Sequence, residues 1–297
     1  MKIFYIGKFN RFHSTENYVT YALRQLGVEV VKRQYTQTMN LQGLQRQIEK
    51  HSPDVILFSK ASSPCFNELI TWCRLKGILT VTWLWDLYWG YRPRKPVQFF
   101  ADLLLTTDGG HKDRWKAIGV NHEVLRQGIH KPDHRMLSAP EFLAELAFVG
   151  SRNSCTQRRQ LTRWLNFRFG DRIIWHTHTR GLELNQALAE TKIVIGDSYP
   201  VDNYWSNRVY EILGRGGFLL FPETEGLNEE FVSGVHYVAY PRNNYKRLLE
   251  IVKYYLTNDS EREEIRRNGF EKCGEYTYED RCRALLQRIS AHSLQGA

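Results

Sequence analysis

The 297-residue chain lacks any apolar run long enough to cross a lipid bilayer. A spanning helix needs roughly 18 or more consecutive apolar residues. The opening segment, MKIFYIGKFNRFH, has no small-residue cleavage site after its short apolar run, so it does not read as a signal peptide. We therefore expect a cytoplasmic protein without a membrane span.

Cysteine is also scarce: there are five, widely spaced, with no C-x-x-C pair. An odd number of cysteines argues against a disulfide framework, and the absence of close pairs argues against a structural zinc site. Free thiols in a reducing compartment are the expectation.

Several motifs that mark other enzyme classes are missing. No G-x-G-x-x-G follows the first predicted strand, which weakens a dinucleotide oxidoreductase, and no G-x-x-x-x-G-K-[ST] loop occurs, which excludes P-loop phosphoryl transfer. No G-x-S-x-G elbow supports an α/β-hydrolase, and no D-x-D pair is available to hold a nucleotide-bound metal. His176 and His178 form an H-T-H pair, but no third ligand accompanies them, so we predict no metal site and no cofactor.

Positive charge is concentrated in the first half of the chain. Residues 1–143 contain 20 Lys or Arg and 12 Asp or Glu, a balance of +8, whereas residues 144–297 contain 21 and 20, a balance of +1. A one-sided basic domain fits an anionic partner such as nucleic acid or a polyanionic surface. Charge that serves solubility alone is the alternative interpretation.

Short apolar runs alternate with amphipathic stretches in both halves. Strands are predicted at residues 3–7, 28–31, 55–58, 79–85, 103–107, 122–127, 146–150, 173–176, 192–196, 218–221 and 236–240. Helices are predicted at residues 15–26, 41–50, 66–77, 156–170, 181–190, 207–217, 244–257, 260–276 and 277–292. Ser14 is the expected cap of the first helix and Gly27 its end. This alternation is typical of parallel β-α-β units.

The pattern predicts two doubly wound, Rossmann-like α/β domains that face each other across a cleft. We expect an N-terminal domain at residues 1–143, a second domain at 144–275, and a C-terminal helix at 276–297 that packs back on the first. A single eight-stranded β/α barrel is the alternative, but the strand count is too high and the final helices lack a strand. In doubly wound sheets, ligands bind at the carboxyl ends of the strands.

The most informative segment is YWSNRVYEILGRGG, residues 204–217. Ser206 is expected to cap a short helix whose free amides suit a diphosphate. Arg208 stands in the first turn, where a cation gains nothing from the helix dipole but would pair with a phosphate. Glu211 follows on the same face and suits ribose hydroxyls. The alternative is an Arg–Glu pair on a surface helix.

This segment resembles the nucleotide-sugar-binding segment of GT-B glycosyltransferases, above all of their CgeB-like branch, the "glycosyl transferases group 1" type. HYVAYPRNNYKRLLEIVKYYL and the helices after it resemble the family's C-terminal run, and FVGSRNSCTQRRQL resembles the opening glycine loop of the second domain. The resemblance covers about residues 146–286. The first half matches in architecture alone.

The resemblance implies a metal-independent transferase whose second domain holds a nucleotide sugar, with UDP as the expected nucleotide. Carried over by position, Glu211 would bind the ribose, the loop at His176 would lie near the base, and the remaining donor-binding residues would be Ser206, Asn207, Arg208, Gly150, Ser151 and Arg152. Many relatives have a carboxylate eight residues before the equivalent of Glu211. Here that position is Asn203, beside Asp202, so retaining or inverting chemistry stays open.

Glycosyl transfer needs charge stabilisation of the departing diphosphate, which we assign to Arg208. An inverting enzyme also needs a general base at a strand end of the first domain. Asp86, which ends TVTWLWD, and His13, on the loop after the first strand, are the candidates. In a retaining enzyme, Asp86 would only orient the acceptor.

Aromatic and basic residues crowd the segment WLWDLYWGYRPRKP, residues 83–96. Aromatic rings beside cations suit stacking on sugars or nucleobases with phosphate contacts. The acceptor-binding candidates are Trp85, Tyr88, Trp89, Tyr91, Arg92, Arg94 and Lys95. Core packing is the alternative for the tryptophans.

Three acceptor hypotheses follow. The sharpest is a hydroxymethylated pyrimidine in DNA, to which the aromatic and basic segment and the +8 balance of the first half point. Such an enzyme resembles the DNA-modifying glucosyltransferases of bacteriophages and would flip its target base from the stack. The second is a small molecule, lipid or cell-envelope glycan. The third is a nucleic-acid-binding protein with the same fold and no catalysis. The sequence does not decide between monomer and dimer.

Overall fold

The computed structural model describes residues 1–59, 63, 65–88, 101–120, 122–139 and 141–295. Contacts divide the chain into two compact units, one formed by Met1–Gln127 with Tyr278–Ala297 and the other by Gly128–Thr277. The boundary between the units therefore lies at residue 127, earlier in the chain than the expected boundary at residue 143. The Ile129 amide donates to the Tyr276 carbonyl at 2.9 Å, and this hydrogen bond ties the segment after Gln127 to the second unit.

The first unit contains a parallel sheet of six strands in the order β2-β1-β3-β4-β5-β6. The strands are β1 (Lys2–Gly7), β2 (Glu29–Gln34), β3 (Val55–Phe58), β4 (Leu79–Leu84), β5 (Leu103–Thr106) and β6 (His122–Val124). The helices are α1 (Thr15–Gln25), α2 (Leu41–His51), α3 (Cys65–Leu75), α4 (Lys112–Ala117) and, from the C-terminal end, α10 (Tyr278–Gln295). The chain reverses its direction of winding between β1 and β3.

Local signals explain the first helix, as predicted. The Ser14 hydroxyl accepts a hydrogen bond from the Asn17 amide at 3.3 Å, and Gly27 adopts a left-handed φ of 77° just beyond the helix end. Val19, Ala22 and Leu23 are fully buried on one face of the helix. The same core includes Cys282 and Leu285 of α10, so the C-terminal helix completes the first unit.

The second unit contains a parallel sheet of five strands in the order β11-β10-β9-β7-β8. The strands are β7 (Ala144–Val149), β8 (Ile173–His176), β9 (Thr191–Ile195), β10 (Leu219–Pro222) and β11 (Val238–Tyr240). The helices are α5 (Thr156–Phe169), α6 (Gly181–Ala189), α7 (Arg208–Leu213), α8 (Tyr245–Thr257) and α9 (Asp259–Cys273), with 3-10 turns at Lys131–Asp133, Gly170–Arg172 and Leu227–Glu229.

Each face of this sheet has its own core. Leu161 and Leu165 of α5 pack with Leu248 of α8 on one face. Leu188 of α6 and Ile212 of α7 pack on the other. Two separate doubly wound sheets confirm the predicted fold class and are incompatible with a single barrel. No helix among the residues that the structure describes is long and apolar enough to cross a membrane.

Candidate functional site

The topological switch of the second sheet lies between β7 and β9. β7 is flanked by β8 and β9, so the connections leave its two sides in opposite directions. At such a point the carboxyl ends of neighbouring strands form a crevice where ligands bind. Gly150 follows β7 and Asp197 follows β9, so these residues frame the crevice.

The Arg208 side chain spans this switch point. Its Nε donates to the Val149 carbonyl at 2.6 Å, and its Nη1 donates to the Asp197 carbonyl at 3.1 Å. Nη1 also lies 3.5 Å from the Ser206 hydroxyl oxygen. The guanidinium is therefore fixed against the ends of two strands, at the place where a doubly wound sheet binds its ligand.

Arg208 is a half-buried cation with uncharged partners. All three hydrogen bonds go to carbonyl or hydroxyl oxygens, and no carboxylate of the described part of the chain pairs with it. Burial, followed by repulsion from Arg158, lowers the pKa of Arg208 to about 10. A buried charge is costly unless it is paired, so an anion in this crevice would be favoured.

Gly150 makes room for that guanidinium. Its φ is 108°, a conformation that side chains rarely adopt, and a Cβ atom there would lie 2.6 Å from Nε and Nη2 of Arg208. Its amide donates to the His176 carbonyl at 2.8 Å. In this structure the glycine therefore admits Arg208, whereas we expected it to admit a ligand.

The helix at Arg208 begins differently from the prediction. Asn207, with helical φ and ψ, occupies the N-cap position, and no side chain caps the helix. The Ser206 hydroxyl instead donates to the Asp197 carbonyl at 3.2 Å. The expected capping by Ser206 is thus wrong, because the loop from β9 uses that hydroxyl to close onto its own strand end.

Glu211 belongs to a buried network that the sequence analysis missed. Its Oε2 accepts from Nε and Nη2 of Arg215 at 3.0 and 2.9 Å, and its Oε1 accepts from the Asn207 amide nitrogen at 3.1 Å. The Arg215 side chain is 0% exposed and also donates to Asp133 at 2.7 Å and to Asn185 at 2.6 Å. The two carboxylates raise the pKa of Arg215 above its ordinary value despite burial.

A second buried ion pair adjoins the switch point. Arg158 Nε donates to Asp197 Oδ2 at 2.8 Å, and both side chains are less than a tenth exposed. Asp197 also lines a cavity of about 70 Å³, together with Tyr240 and Arg242. Its carboxylate supports the sheet edge through Arg158 while its carbonyl accepts from Arg208.

The structure distributes the other predicted donor residues around the same sheet edge. His176 ends β8; its Nδ1 lies 3.3 Å from the Thr179 hydroxyl, and its Nε2 is buried with no hydrogen-bond partner among the residues that the structure describes. Burial lowers the pKa of His176. Ser151 is exposed. The Arg152 guanidinium stacks on the Trp175 ring, 4.0 Å from its centroid, so the contacts described for Arg152 do not include the Arg208 side chain.

The candidates in the first unit lie at carboxyl ends of its strands. Asp86 is exposed just after β4. His13 lies on the loop after β1, where its Nδ1 is 3.1 Å from the Tyr18 hydroxyl. Trp85 is 2% exposed and packs edge-on against Trp83, so its ring belongs to the core. That burial leaves no ring surface for an acceptor.

Tyr88 is half-buried, with its ring 5.1 Å from that of Trp115. The other five acceptor-binding candidates lie outside the described residues: Trp89, Tyr91, Arg92, Arg94 and Lys95.

Comparison with protein families decides the class of the protein. The family described as "Glycosyl transferase-like" matches residues 126–287, more than half of the chain. The chain belongs to this glycosyl transferase-like family. It is a glycosyltransferase, and the expected resemblance is confirmed. A search among curated proteins found no match.

Solved structures share the fold of this glycosyltransferase over nearly their full length. A glycosyltransferase from Rickettsia africae ESF-5 has a TM-score of 0.69 at 8% identity, covering 100% of this chain and 99% of that one. Sucrose-phosphate synthase from Thermosynechococcus elongatus has 0.67 at 11%, covering 98% and 99%. Anabaena Alr3699/HepE in complex with UDP-glucose has 0.65 at 12%, covering 98% and 100%. The fold is therefore GT-B.

Proposed function

We propose that the protein transfers a sugar from a nucleotide-sugar donor held by residues 144–275, which lie within the second unit, to a hydroxyl acceptor held by the first unit. The observation that carries this proposal is the half-buried Arg208 guanidinium, which lies across the switch point and has no carboxylate partner in the described part of the chain. Its Nη2 has no hydrogen-bond partner among the described residues. A diphosphate would supply the missing anion and accept from that nitrogen.

The ribose fits beside it. Within the described residues, Glu211 Oε1 accepts one hydrogen bond, which leaves acceptor capacity, and the buried Asn207 amide oxygen has no partner. Two neighbouring acceptors match the two hydroxyl donors of a ribose. Arg215 fixes the Glu211 carboxylate, so the acceptor pair is preorganised for the sugar.

The base would lie at the loop after β8. His176 Nε2 is a buried ring nitrogen with no hydrogen-bond partner in the described ranges, and the edge of a base could supply one. The HepE structures contain UDP and UDP-glucose, which supports UDP as the nucleotide here. Gly150 would act indirectly, by admitting Arg208, with Ser151, Arg152 and Ser206 at the edge of the site.

In the reaction, the positive charge of Arg208 stabilises the departing diphosphate, so that a metal ion would not be needed for this stabilisation. Asp86 or His13 would deprotonate the acceptor if the enzyme inverts. These roles follow from positions at strand ends.

We propose DNA that carries hydroxymethylated pyrimidines as the acceptor. The +8 balance of residues 1–143 supports an anionic acceptor. A small-molecule, lipid or glycan acceptor is the alternative. Neutralising Arg92, Arg94 and Lys95 together should weaken binding to hydroxymethylated duplex and flatten its salt dependence. Absence of binding at low salt would exclude this acceptor.

The donor site is tested by calorimetric titration with UDP-, GDP-, ADP- and CDP-sugars. We expect one nucleotide to bind, and Arg208→Gln, which removes the charge but keeps an amide donor, to weaken that binding at least about tenfold. Glu211→Gln should weaken the binding of the nucleotide sugar but not the binding of inorganic diphosphate. Arg247→Gln, on the exposed face of α8, is the matched control. Equal affinity of Arg208→Gln and the wild type would refute the site.

A further inference from the structure

Positive charge is concentrated on one helix of the second unit. Residues 146–170, which include α5, contain five arginines and no Lys, Asp or Glu. The remaining residues of 144–297 contain 16 Lys or Arg and 20 Asp or Glu, so this segment stands apart from an otherwise acidic part of the chain. Surface helices that serve solubility mix charges of both signs. The charge of α5 is therefore not explained by solubility alone.

Two of these arginines lie side by side on the exposed face of α5. Arg159 and Arg163 are both exposed, and a spacing of four residues makes them neighbours on a helix. Within the described residues, the Arg159 side chain lies 3.5 Å from the Thr156 hydroxyl oxygen, and neither arginine pairs with a carboxylate. Like charges at this spacing destabilise a helix. An anionic partner would offset that repulsion.

Arg152 extends the same face beyond the helix. The Thr162 hydroxyl donates to the Arg152 carbonyl at 3.2 Å, so the loop before α5 runs alongside the helix. Arg152 Nη2 then donates to Asn166 Oδ1 at 3.4 Å. Asn166 is exposed and follows Arg163 by three residues, which places it on the same face. Three guanidinium groups are thus brought to one continuous strip of surface.

An exposed aromatic ring completes this strip. Phe167 is 88% exposed and follows Arg163 by four residues, so the ring lies beside that guanidinium. Leu161, Leu165 and Phe169 of the same helix are buried in the core, which therefore does not need the Phe167 ring. We call the strip the α5 surface and define it by five residues: Arg152, Arg159, Arg163, Asn166 and Phe167.

We propose that the α5 surface binds a single-stranded nucleic acid, with its arginines on the phosphates and a base stacked on Phe167. Guanidinium groups form charge-assisted, bidentate hydrogen bonds with phosphate oxygens. Proteins that bind single strands combine cations along the backbone with aromatic side chains on which bases stack. The inference goes beyond the proposed function, because the α5 surface lies within the second unit and involves neither the sugar donor nor the acceptor hydroxyl.

An anionic membrane is the other partner that an arginine-rich helix with an exposed ring could bind. Membrane binding by such helices grows with the apolar area that enters the bilayer. Phe167 is the single apolar member of the α5 surface, against three arginines. Phosphate contacts therefore outweigh apolar burial on this face, which favours a nucleic acid strand over a lipid surface.

Fluorescence anisotropy with a labelled oligothymidylate tests the role of the charges. Arg152 borders the proposed donor site, so the variant combines Arg159→Gln with Arg163→Gln. We expect its affinity to fall at least about tenfold. The slope of log affinity against log salt concentration should become shallower by about 1.4, because each phosphate contact to a single strand contributes about 0.7.

Arg46→Gln combined with Lys50→Gln is the matched control. These two cations are also exposed and four residues apart, on α2 of the basic first unit. The control variant loses the same net charge and should keep the affinity and salt slope of the wild type. Equal losses in the two double variants would overturn the inference, because the charge of the whole protein would then hold the strand.

Phe167→Ala separates stacking from charge. It should weaken oligothymidylate binding by about 5- to 100-fold at an unchanged salt slope, since stacking of a base does not release counterions. Binding of an abasic strand of the same length, which keeps the phosphates but has no bases, should not change. An equal loss with the abasic strand would overturn the stacking of a base on Phe167.

Co-sedimentation with vesicles of phosphatidylglycerol and phosphatidylcholine tests the membrane instead. We expect no binding to these vesicles. Vesicle binding that is lost in Phe167→Ala, or a wild type that does not bind oligothymidylate at low salt, would overturn the inference. The Arg159 and Arg163 double variant should bind nucleotide sugar as the wild type does, so failure of the α5 surface and failure of the donor site are distinguishable.

Discussion

Three arginines of the second unit show how the same residue type takes different roles. Arg215 is fully buried between Asp133 and Glu211, and Arg158 pairs with Asp197. Arg208 alone of these three has uncharged partners. Since burial of an unpaired charge is unfavourable, the first two arginines depend on their carboxylate partners, whereas Arg208 is the one that we propose binds an anion.

Substitution of Gly150 tests the packing of Arg208. Gly150→Ala places a methyl group 2.6 Å from the guanidinium at a φ of 108°. We expect the arginine to be displaced, donor affinity to fall at least about tenfold, and stability to fall by roughly 1–3 kcal/mol from backbone strain. Calorimetric titration and urea unfolding measure the two effects.

Gly234→Ala is the matched control. Its φ is 81°, and nothing lies within 4 Å of the added Cβ. It should share the strain but keep the donor affinity. Equal affinity of Gly150→Ala and Gly234→Ala would show that Arg208 does not depend on the glycine.

Acid sensitivity of the second unit should depend on His236. Its Nδ1 accepts from the Val232 amide at 2.9 Å, and burial, followed by Lys272, lowers its pKa. The unfolded histidine, with a pKa of about 6.5, binds a proton that the folded one rejects. The stability that the neutral His236 contributes is therefore complete above about pH 6.5, and it is lost as the pH falls from there towards the lower pKa of the folded protein.

His236→Gln should thus reduce the difference in unfolding free energy between about pH 7.5 and 5.5. Urea unfolding at both pH values measures it. Burial also lowers the pKa of His176. The contribution of His176 to the acid sensitivity is therefore kept in the variant. An unchanged difference would mean that His236 does not contribute.

At the scale of elements, periodicity predicted the strands and most helices, because a buried parallel strand is a short apolar run that the sequence displays directly. β3 and β8 lie at the predicted residues. α4, Lys112–Ala117, was not predicted, since six largely polar residues carry too little periodicity. The Ser206 cap failed for a related reason, because a tertiary contact with the Asp197 carbonyl outcompeted the local preference.

The same limit applied to the site. Arg208 and Glu211 were predicted as donor-binding residues from their spacing on one helix, and they stay a prediction. The pairing of Arg215 with Asp133 joins residues 82 apart in sequence, which no local pattern encodes. The i,i+4 spacing of Glu211 and Arg215 was a signal that could have been used.

Arg215 links Glu211 of α7 to Asp133, and this link should contribute to the stability of the second unit. Arg215→Met leaves two carboxylates buried without their cation, so we expect a loss of about 3–5 kcal/mol. Arg247→Met breaks an exposed pair with Glu250 and should cost less than about 1 kcal/mol. Urea unfolding of both variants gives the comparison, and equal losses would contradict a structural role for the network.

At the scale of the whole molecule, the chain order and the compact units do not coincide. The first unit is closed by α10, which comes from the C-terminal end. Tyr278, Cys282 and Leu285 are fully buried, in a core shared with Val19 and Leu23 of α1. Composition showed a basic first half and a nearly neutral second half, and the contacts of α10 place the last helix with the basic unit, on which we expected it to pack.

Leu285→Ala should therefore weaken the first unit selectively. Truncation of a fully buried leucine typically costs about 2–5 kcal/mol through lost burial and the cavity left behind. Hydrogen exchange measured by mass spectrometry should show faster exchange in peptides from β1, α1 and α10 and unchanged protection in β7, β9 and α5, because local stability follows the packing of each unit. Leu75→Ala, 82% exposed on α3, should leave both patterns unchanged. Faster exchange throughout Gly128–Thr277 would instead mean that the two units unfold together.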